Sequence, residues 1–273
     1  AILEELPSPQ RGRRMPAHFQ FQWRIRSRQP APWVLQWTSF EAGTGRVVGR
    51  EPLVQLRTRQ RSLPLCVAGA GAETVVVMCP GGLLALERDG RLRWVRRHSW
   101  QAADLPARWP QTPLVSDRQV FVVAADFGGI EAFDAAGGRL SWRCESPGVV
   151  RILGVVADRL IAQDGAGLLA VQTASGQIAW RHEILAPLEG CFCGGAGQLA
   201  YMTLREEGFG RISPAIQWLD PATGKPLALH VTEGLASSRH VSKSLLLGPI
   251  MSVDGRWFVL GRGSGYGRRT LQL

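Results

Sequence analysis

Residues 128–142 read GGIEAFDAAGGRLSW, and residues 166–180 read AGLLAVQTASGQIAW. In each, apolar and polar residues alternate as in Ile130-Glu131-Ala132-Phe133, the period of a half-buried strand. Next come a polar residue, a short turn ending in Gly, and a second apolar strand ending in Trp. Gly at the end of the turn supplies the positive φ of a tight hairpin, and Asp134, where the turn opens, can accept from its backbone N–H groups. Three further segments follow the same plan: WTSFEAGTGRVVG (37–49), LLALERDGRLRW (83–94) and IQWLDPATGKPLA (216–228), the last opening its turn with Asp220.

The turn glycines are Gly45, Gly90, Gly138, Gly176 and Gly224. Successive differences between these numbers are 45, 48, 38 and 48 residues. That is the length of one four-stranded propeller blade. Two more short strands precede each hairpin, as at Pro113–Ser116 and Val120–Ala125, or Ile152–Val156 and Leu160–Gln163. No helical periodicity interrupts them. The expected fold is all-β, a β-propeller of about six four-stranded blades, with a truncated seven- or eight-bladed ring as the rival count. The first unit offers strands at Phe19–Arg26, Trp33–Phe40 and Arg46–Leu56. The last offers Leu245–Val253, Trp257–Leu260 and the stub Thr270–Leu273. An open ring would leave strand edges bare, so residues before Trp33 are expected to pair with residues after Leu245. The expected organisation is a basic tail or closing segment at 1–18 and a propeller at 19–273.

These segments resemble the PQQ-like repeat, G-x-L-x-A-L-D-x-x-T-G-x-x-x-W. It occurs in quinoprotein dehydrogenases and in the outer-membrane assembly propeller lipoprotein. The resemblance covers roughly residues 33–273 and is specific for fold rather than function. It implies that Trp94, Trp142 and Trp180 pack between neighbouring blades. The first and fifth units have Gly49 and Ala228 at that position.

For a quinoprotein enzyme the resemblance also implies about eight blades, a calcium-binding set of acids and amides, a catalytic Asp and often two adjacent cysteines. Cys191 and Cys193 are separated by one residue, and the chain contains no Asn. The sequence therefore predicts no enzyme, no cofactor and no metal site. Alternation puts Cys191 and Cys193 on one strand face, but zinc would need two further ligands and His182 and His240 are distant. Buried structural cysteines on an inner strand are expected. His98, His182 and His230 follow outer-strand positions and are expected to be exposed.

The net charge is +10; residues 1–61 hold 11 Arg against 4 acids, and residues 62–273 hold 21 basic against 18 acidic groups. The excess therefore lies in the first segment, including Arg11, Arg13, Arg14, Arg24, Arg26 and Arg28, either a solvated tail or a docking surface for an acidic partner. Phe19, Phe21, Trp23, Trp33 and Trp37 lie in or beside it, a combination that single-stranded nucleic-acid binders use. A propeller strand needs the same alternation for its buried face, so a nucleic-acid or acidic-polymer binder stands as the alternative.

No run approaches the roughly 20 apolar residues of a membrane helix, so no membrane span is expected. Five cysteines leave at least one free thiol, which favours a reducing compartment. The expectation is cytoplasmic, with a periplasmic location after removal of a leader as the alternative. The leading functional expectation is a non-catalytic scaffold binding other protein subunits in a bacterial multi-protein assembly. Candidate partner contacts are Trp100 and Trp109 in the insertion 98–113, Arg205 and Arg211 in 205–214, and Arg24 and Arg26. Exposed Trp and Arg often dominate interface energetics.

Overall fold

A computed structural model of the chain describes residues 2–5, 33–57, 67–79, 82–97, 111–124, 128–184, 191–193, 197–206, 212–231, 247–253, 256–261 and 269–272. Every regular element among them is a β-strand. Three strands form the first sheet: β1 (Ile2–Glu5), β2 (Trp33–Phe40) and β3 (Val47–Arg57), in the order β1-β3-β2. The second holds β4 (Val67–Ala70), β5 (Thr74–Cys79), β6 (Gly82–Glu87) and β7 (Leu92–Arg97). The third holds β8 (Leu114–Val115), β9 (Gln119–Ala124), β10 (Gly129–Asp134) and β11 (Leu140–Cys144). The fourth runs through β12 (Arg151–Val156), β13 (Arg159–Gln163), β14 (Gly167–Gln172) and β15 (Ile178–Glu183). The fifth comprises β16 (Cys191–Cys193), β17 (Leu199–Glu206), β18 (Ile212–Leu219) and β19 (Pro226–Val231). The last has β20 (Leu247–Val253), β21 (Arg256–Gly261) and β22 (Arg269–Gln272). The four four-stranded sheets keep chain order from one edge to the other, the up-and-down winding of propeller blades.

The chain divides into two compact units: Ala1–Val120 with Phe133–Arg139, and Phe121–Ala132 with Leu140–Leu273. In the first, Leu53 with Leu35 and Trp37 of the first sheet packs on Val77, Cys79, Leu84 and Leu86 of the second. In the second, Val156, Ile161, Leu168 and Trp180 of the fourth sheet pack on Leu199, Tyr201 and Leu219 of the fifth. Middle strands such as β6 and β14 are buried on both faces, with Leu83–Leu86 and Leu168–Val171 almost wholly removed from water. Outer strands β7, β11 and β15 instead alternate, with Trp at the central buried position. A strand covered on both faces reads as a continuous apolar run, and one half-open to water alternates.

Each repeat hairpin closes in the same way. Gly45, Gly90, Gly138, Gly176 and Gly224 have φ of +69°, +88°, +67°, +75° and +70°. Their N–H groups donate to the carbonyls of Glu41, Glu87, Asp134, Gln172 and Asp220. Beside several of these turns the ladder slips by one residue, between Ala85 and Leu86, Ala170 and Val171, and Trp218 and Leu219. Such a bulge accommodates a left-handed glycine.

One turn lacks its glycine. Ala157, between β12 and β13, holds φ +52°, a conformation that costs a side-chain-bearing residue about 1–2 kcal/mol. Ala157→Gly is therefore expected to raise unfolding stability by about 1 kcal/mol, measured by urea denaturation.

The described N-terminal strand does not follow the sequence expectation. β1 pairs antiparallel with β3, from Ile2 opposite Arg57 to Glu5 opposite Val54, rather than with strands after Leu245. β2 lines one edge of β3 and leaves the other as a template for an extended segment, and β1 takes that edge at Val54–Arg57. Phe19–Arg26 lies outside the described residues.

Candidate functional site

The sequence-predicted docking residues come together as a repeated lock. Trp94, Trp142 and Trp180 are 9%, 8% and 8% exposed. Each indole lies on the turn glycine of the next repeat: a Cβ added to Gly138, Gly176 or Gly224 would sit 2.6 Å from the ring of Trp94, Trp142 or Trp180. Each indole N–H donates to the carbonyl three residues before that glycine. The pairs are Trp94 to Ala135 at 2.9 Å, Trp142 to Thr173 at 2.7 Å and Trp180 to Pro221 at 2.8 Å. In two of them the bond continues inward. Ala135 N–H donates to Arg118 O at 2.9 Å, and Thr173 N–H donates to Asp158 O at 3.0 Å. Pro221 has no N–H, so the third lock stops at its carbonyl.

The two repeats without Trp at the end of the motif depart in different ways. In the first, Trp37 on β2 lies against Gly90, where an added Cβ would meet its ring at 2.5 Å; its N–H donates to Ser39 Oγ at 3.1 Å. In the fifth, the usual cross-strand pair is exchanged. Ala85 faces Trp94 and Ala170 faces Trp180, but Trp218 faces Ala228. Directly opposed residues share a sheet face, so the large ring has moved from the outer strand to its neighbour.

A second set of contacts is polar. Arg143 Nε donates to Glu131 Oε1 at 2.8 Å, with Glu131 1% exposed. Arg181 Nη1 reaches Asp164 Oδ2 at 2.7 Å while Nη2 reaches Ser146 Oγ at 2.8 Å. Asp164 Oδ1 also accepts from Ala166 and Gly167 N–H. Glu131 and Asp164 are the buried carboxylates among the described residues, and each holds the arginine that follows a docking tryptophan. Alternation hides this pairing in the sequence, because the partners lie 12 and 17 residues apart.

His182 is half-buried rather than exposed. Its Nε2 lies 3.0 Å from the Tyr201 hydroxyl, and the two rings are 5.5 Å apart. An outer-strand residue is exposed only where no neighbouring sheet covers it, and Tyr201 on β17 covers this one. Burial lowers the imidazole pKa from 6.5, partly opposed by a hydrogen bond to the Gly224 backbone. The neutral ring is thus the favoured form. Its contribution to stability is present above the unfolded value and lost as pH falls through the depressed folded value. The parent is expected to lose more melting temperature than His182→Gln when pH drops from about 7.5 to about 5, read by scanning calorimetry.

The remaining sequence candidates are scattered or undescribed. Trp100, Trp109, Arg24, Arg26, Arg211 and His98 lie outside the described residues. Arg205 is on β17, opposite Ser213, and His230 is exposed on β19. Cys191 and Cys193 form the ends of β16, opposite Tyr201 and Leu199. Cys79 and Cys144 are buried thiols, Cys79 Sγ donating to Gly82 O at 3.4 Å, and burial raises the Cys144 thiol pKa. Among the described residues, no group of three or more His, Cys, Asp or Glu is placed to hold a metal ion. No helix among them is long and apolar enough to cross a membrane.

Four-stranded sheets in sequence, the second, third and fourth each passing a tryptophan to the turn glycine of the next, define a PQQ-like repeat β-propeller. The family model described as outer membrane protein assembly factor BamB matches residues 37–191, and the chain belongs to that family. No curated protein matches it. Among solved structures, BamB from Moraxella catarrhalis is similar at 15% identity, over 96% of this chain and 95% of that one, with a TM-score of 0.44. The quinohemoprotein alcohol dehydrogenase ADHIIG from Pseudomonas putida HK5 is similar at 16% identity, over 73% of this chain and 40% of that one, TM-score 0.40. The Pan2 WD40 domain from Neurospora crassa is similar at 9% identity, over 82% of this chain and 66% of that one, TM-score 0.49.

Proposed function

We propose that this chain is a non-catalytic propeller scaffold that binds other protein subunits of an outer-membrane protein assembly machinery. One observation carries the reading: the buried carboxylates Glu131 and Asp164 each bind an arginine of their own sheet. Chemistry that an enzyme would aim at a substrate is here committed to joining strands. Trp94, Trp142 and Trp180 serve as docking residues between successive sheets. Family membership supplies the context, since the matching family is described as an assembly factor for outer-membrane proteins. That context favours the periplasmic alternative over the cytoplasmic one, because such a factor works within the cell envelope. Partner contacts fall on the segments that differ between repeats, with Trp100, Trp109, Arg205, Arg211, Arg24 and Arg26 as the residues to test.

The test is cross-linking in the source bacterium, followed by envelope fractionation and mass spectrometry. Recovery of outer-membrane assembly proteins cross-linked to this chain is the expected result. A saturable rise in melting temperature with micromolar quinone cofactor and calcium would overturn the scaffold reading in favour of an oxidoreductase. Binding that falls steeply with salt and needs only nucleic acid would replace it with the polyanion reading.

A further inference from the structure

Four outer strands, β7, β11, β15 and β19, each end the strand order of their sheet. An edge strand exposes a row of N–H and C=O groups, and charged side chains ordinarily guard it. β7 carries Arg93, Arg96 and Arg97; β11 carries Arg143; β15 carries Arg181 and Glu183. β19 reads PLALHV and carries no Lys, Arg, Asp or Glu.

Burial sets β19 apart as well. The other three strands each bury a central tryptophan, whereas Pro226–His230 are all exposed. Leu227 is 67% exposed and Leu229 42%; alternation puts these two on one face. The exchange that moved the ring to Trp218 left Ala228 at the place where the other outer strands are anchored. The fifth repeat thus gave up the residue that holds its outer strand down, and gained two projecting leucines beside an unguarded edge.

We propose that β19 is a strand-addition site for an extended segment of a partner protein, with aliphatic side chains at alternate positions and an acidic C-terminal end. Charge complementarity selects this occupant. Exposed Lys225 stands where β19 begins. The nearby Asp220 carboxylate is already engaged by the Thr223 hydroxyl at 2.6 Å and the Ala222 N–H at 3.0 Å. Antiparallel addition brings the C-terminal end of the incoming segment to Lys225. Main-chain bonds supply affinity in this mode and alternate side chains supply specificity. Pro226 lacks an N–H, so pairing runs along Leu227–Val231.

The inference deepens the scaffold reading and rests on it, but its test is separate from the cross-linking test. The probe is a short synthetic peptide of alternating leucine and threonine ending in two glutamates, dye-labelled and titrated into the full chain. Expected are saturable binding, slowed amide exchange at Leu227–Val231, and roughly tenfold weaker binding to Leu229→Glu. A peptide ending in two lysines should bind more weakly. Leu227→Lys is the second variant, and both substitutions replace exposed residues. No saturation, or binding indifferent to both variants, overturns the proposal. So does slow exchange in the free chain of those amides that point away from β18, which would mean that the edge is already occupied. Peptide binding without cross-linked assembly proteins would sink the scaffold reading alone.

Discussion

Trp142→Ala is expected to lower unfolding stability by about 3–5 kcal/mol, the usual cost of deleting a large core aromatic. The indole is 8% exposed and packs 5.9 Å from the Phe121 ring. It also covers Gly176 and donates to Thr173 O at 2.7 Å. Truncation therefore opens a cavity and strips a partner from a carbonyl in the middle of a two-bond chain, since the Thr173 N–H is itself bound to Asp158 O. Trp142→Phe separates the two effects: it retains a ring but loses the N–H, and should cost about 1–3 kcal/mol. Urea unfolding of both variants measures the difference. A Trp142→Ala midpoint equal to the parent's would mean that the repeats have been aligned wrongly.

The locks were legible because their parts recur at fixed offsets. Gly90, Gly138 and Gly176 stand out through turn chemistry, and Trp94, Trp142 and Trp180 follow them at a constant distance. Period-two patterns placed most strands within a residue or two, as with Ile152–Val156 against β12 at Arg151–Val156. What the pattern hid was pairing between residues distant in sequence. Nothing local ties Glu131 to Arg143, Asp164 to Arg181 and Ser146, or β1 to β3. His182 looked exposed because strand position does not reveal which neighbouring side chain will cover it.

The fifth repeat is a different kind of miss. Trp218 stands two residues before Asp220, where other repeats have Ala85, Ala132 and Ala170. The exchange with Ala228 was therefore written in the sequence. Reading one alignment column at a time reports a missing tryptophan; reading opposed residues together reports a displaced one. β19 owes its exposed leucines to that displacement, so the functional proposal for this strand depends on pairs rather than on single positions.

Gly176→Ala is expected to be the second most damaging of these changes, and its cost should depend on Trp142. At φ +75° any Cβ pays about 1–2 kcal/mol for left-handed backbone. Here the new methyl would also stand 2.6 Å from Trp142 Cε3, and overpacking of that kind adds about 1–3 kcal/mol. Gly45 isolates the first contribution, because its φ is +69° yet nothing lies within 4 Å of an added Cβ. Gly45→Ala should therefore lose only the backbone cost. In a Trp142→Ala background the ring is gone, and Gly176→Ala should fall to the same small value as Gly45→Ala. The double variant is then more stable than the sum of the single losses by about 1–3 kcal/mol, a coupling readily resolved in a double-mutant cycle. Additive losses would show that the indole does not rest on the glycine, and that the contact does not join the third sheet to the fourth.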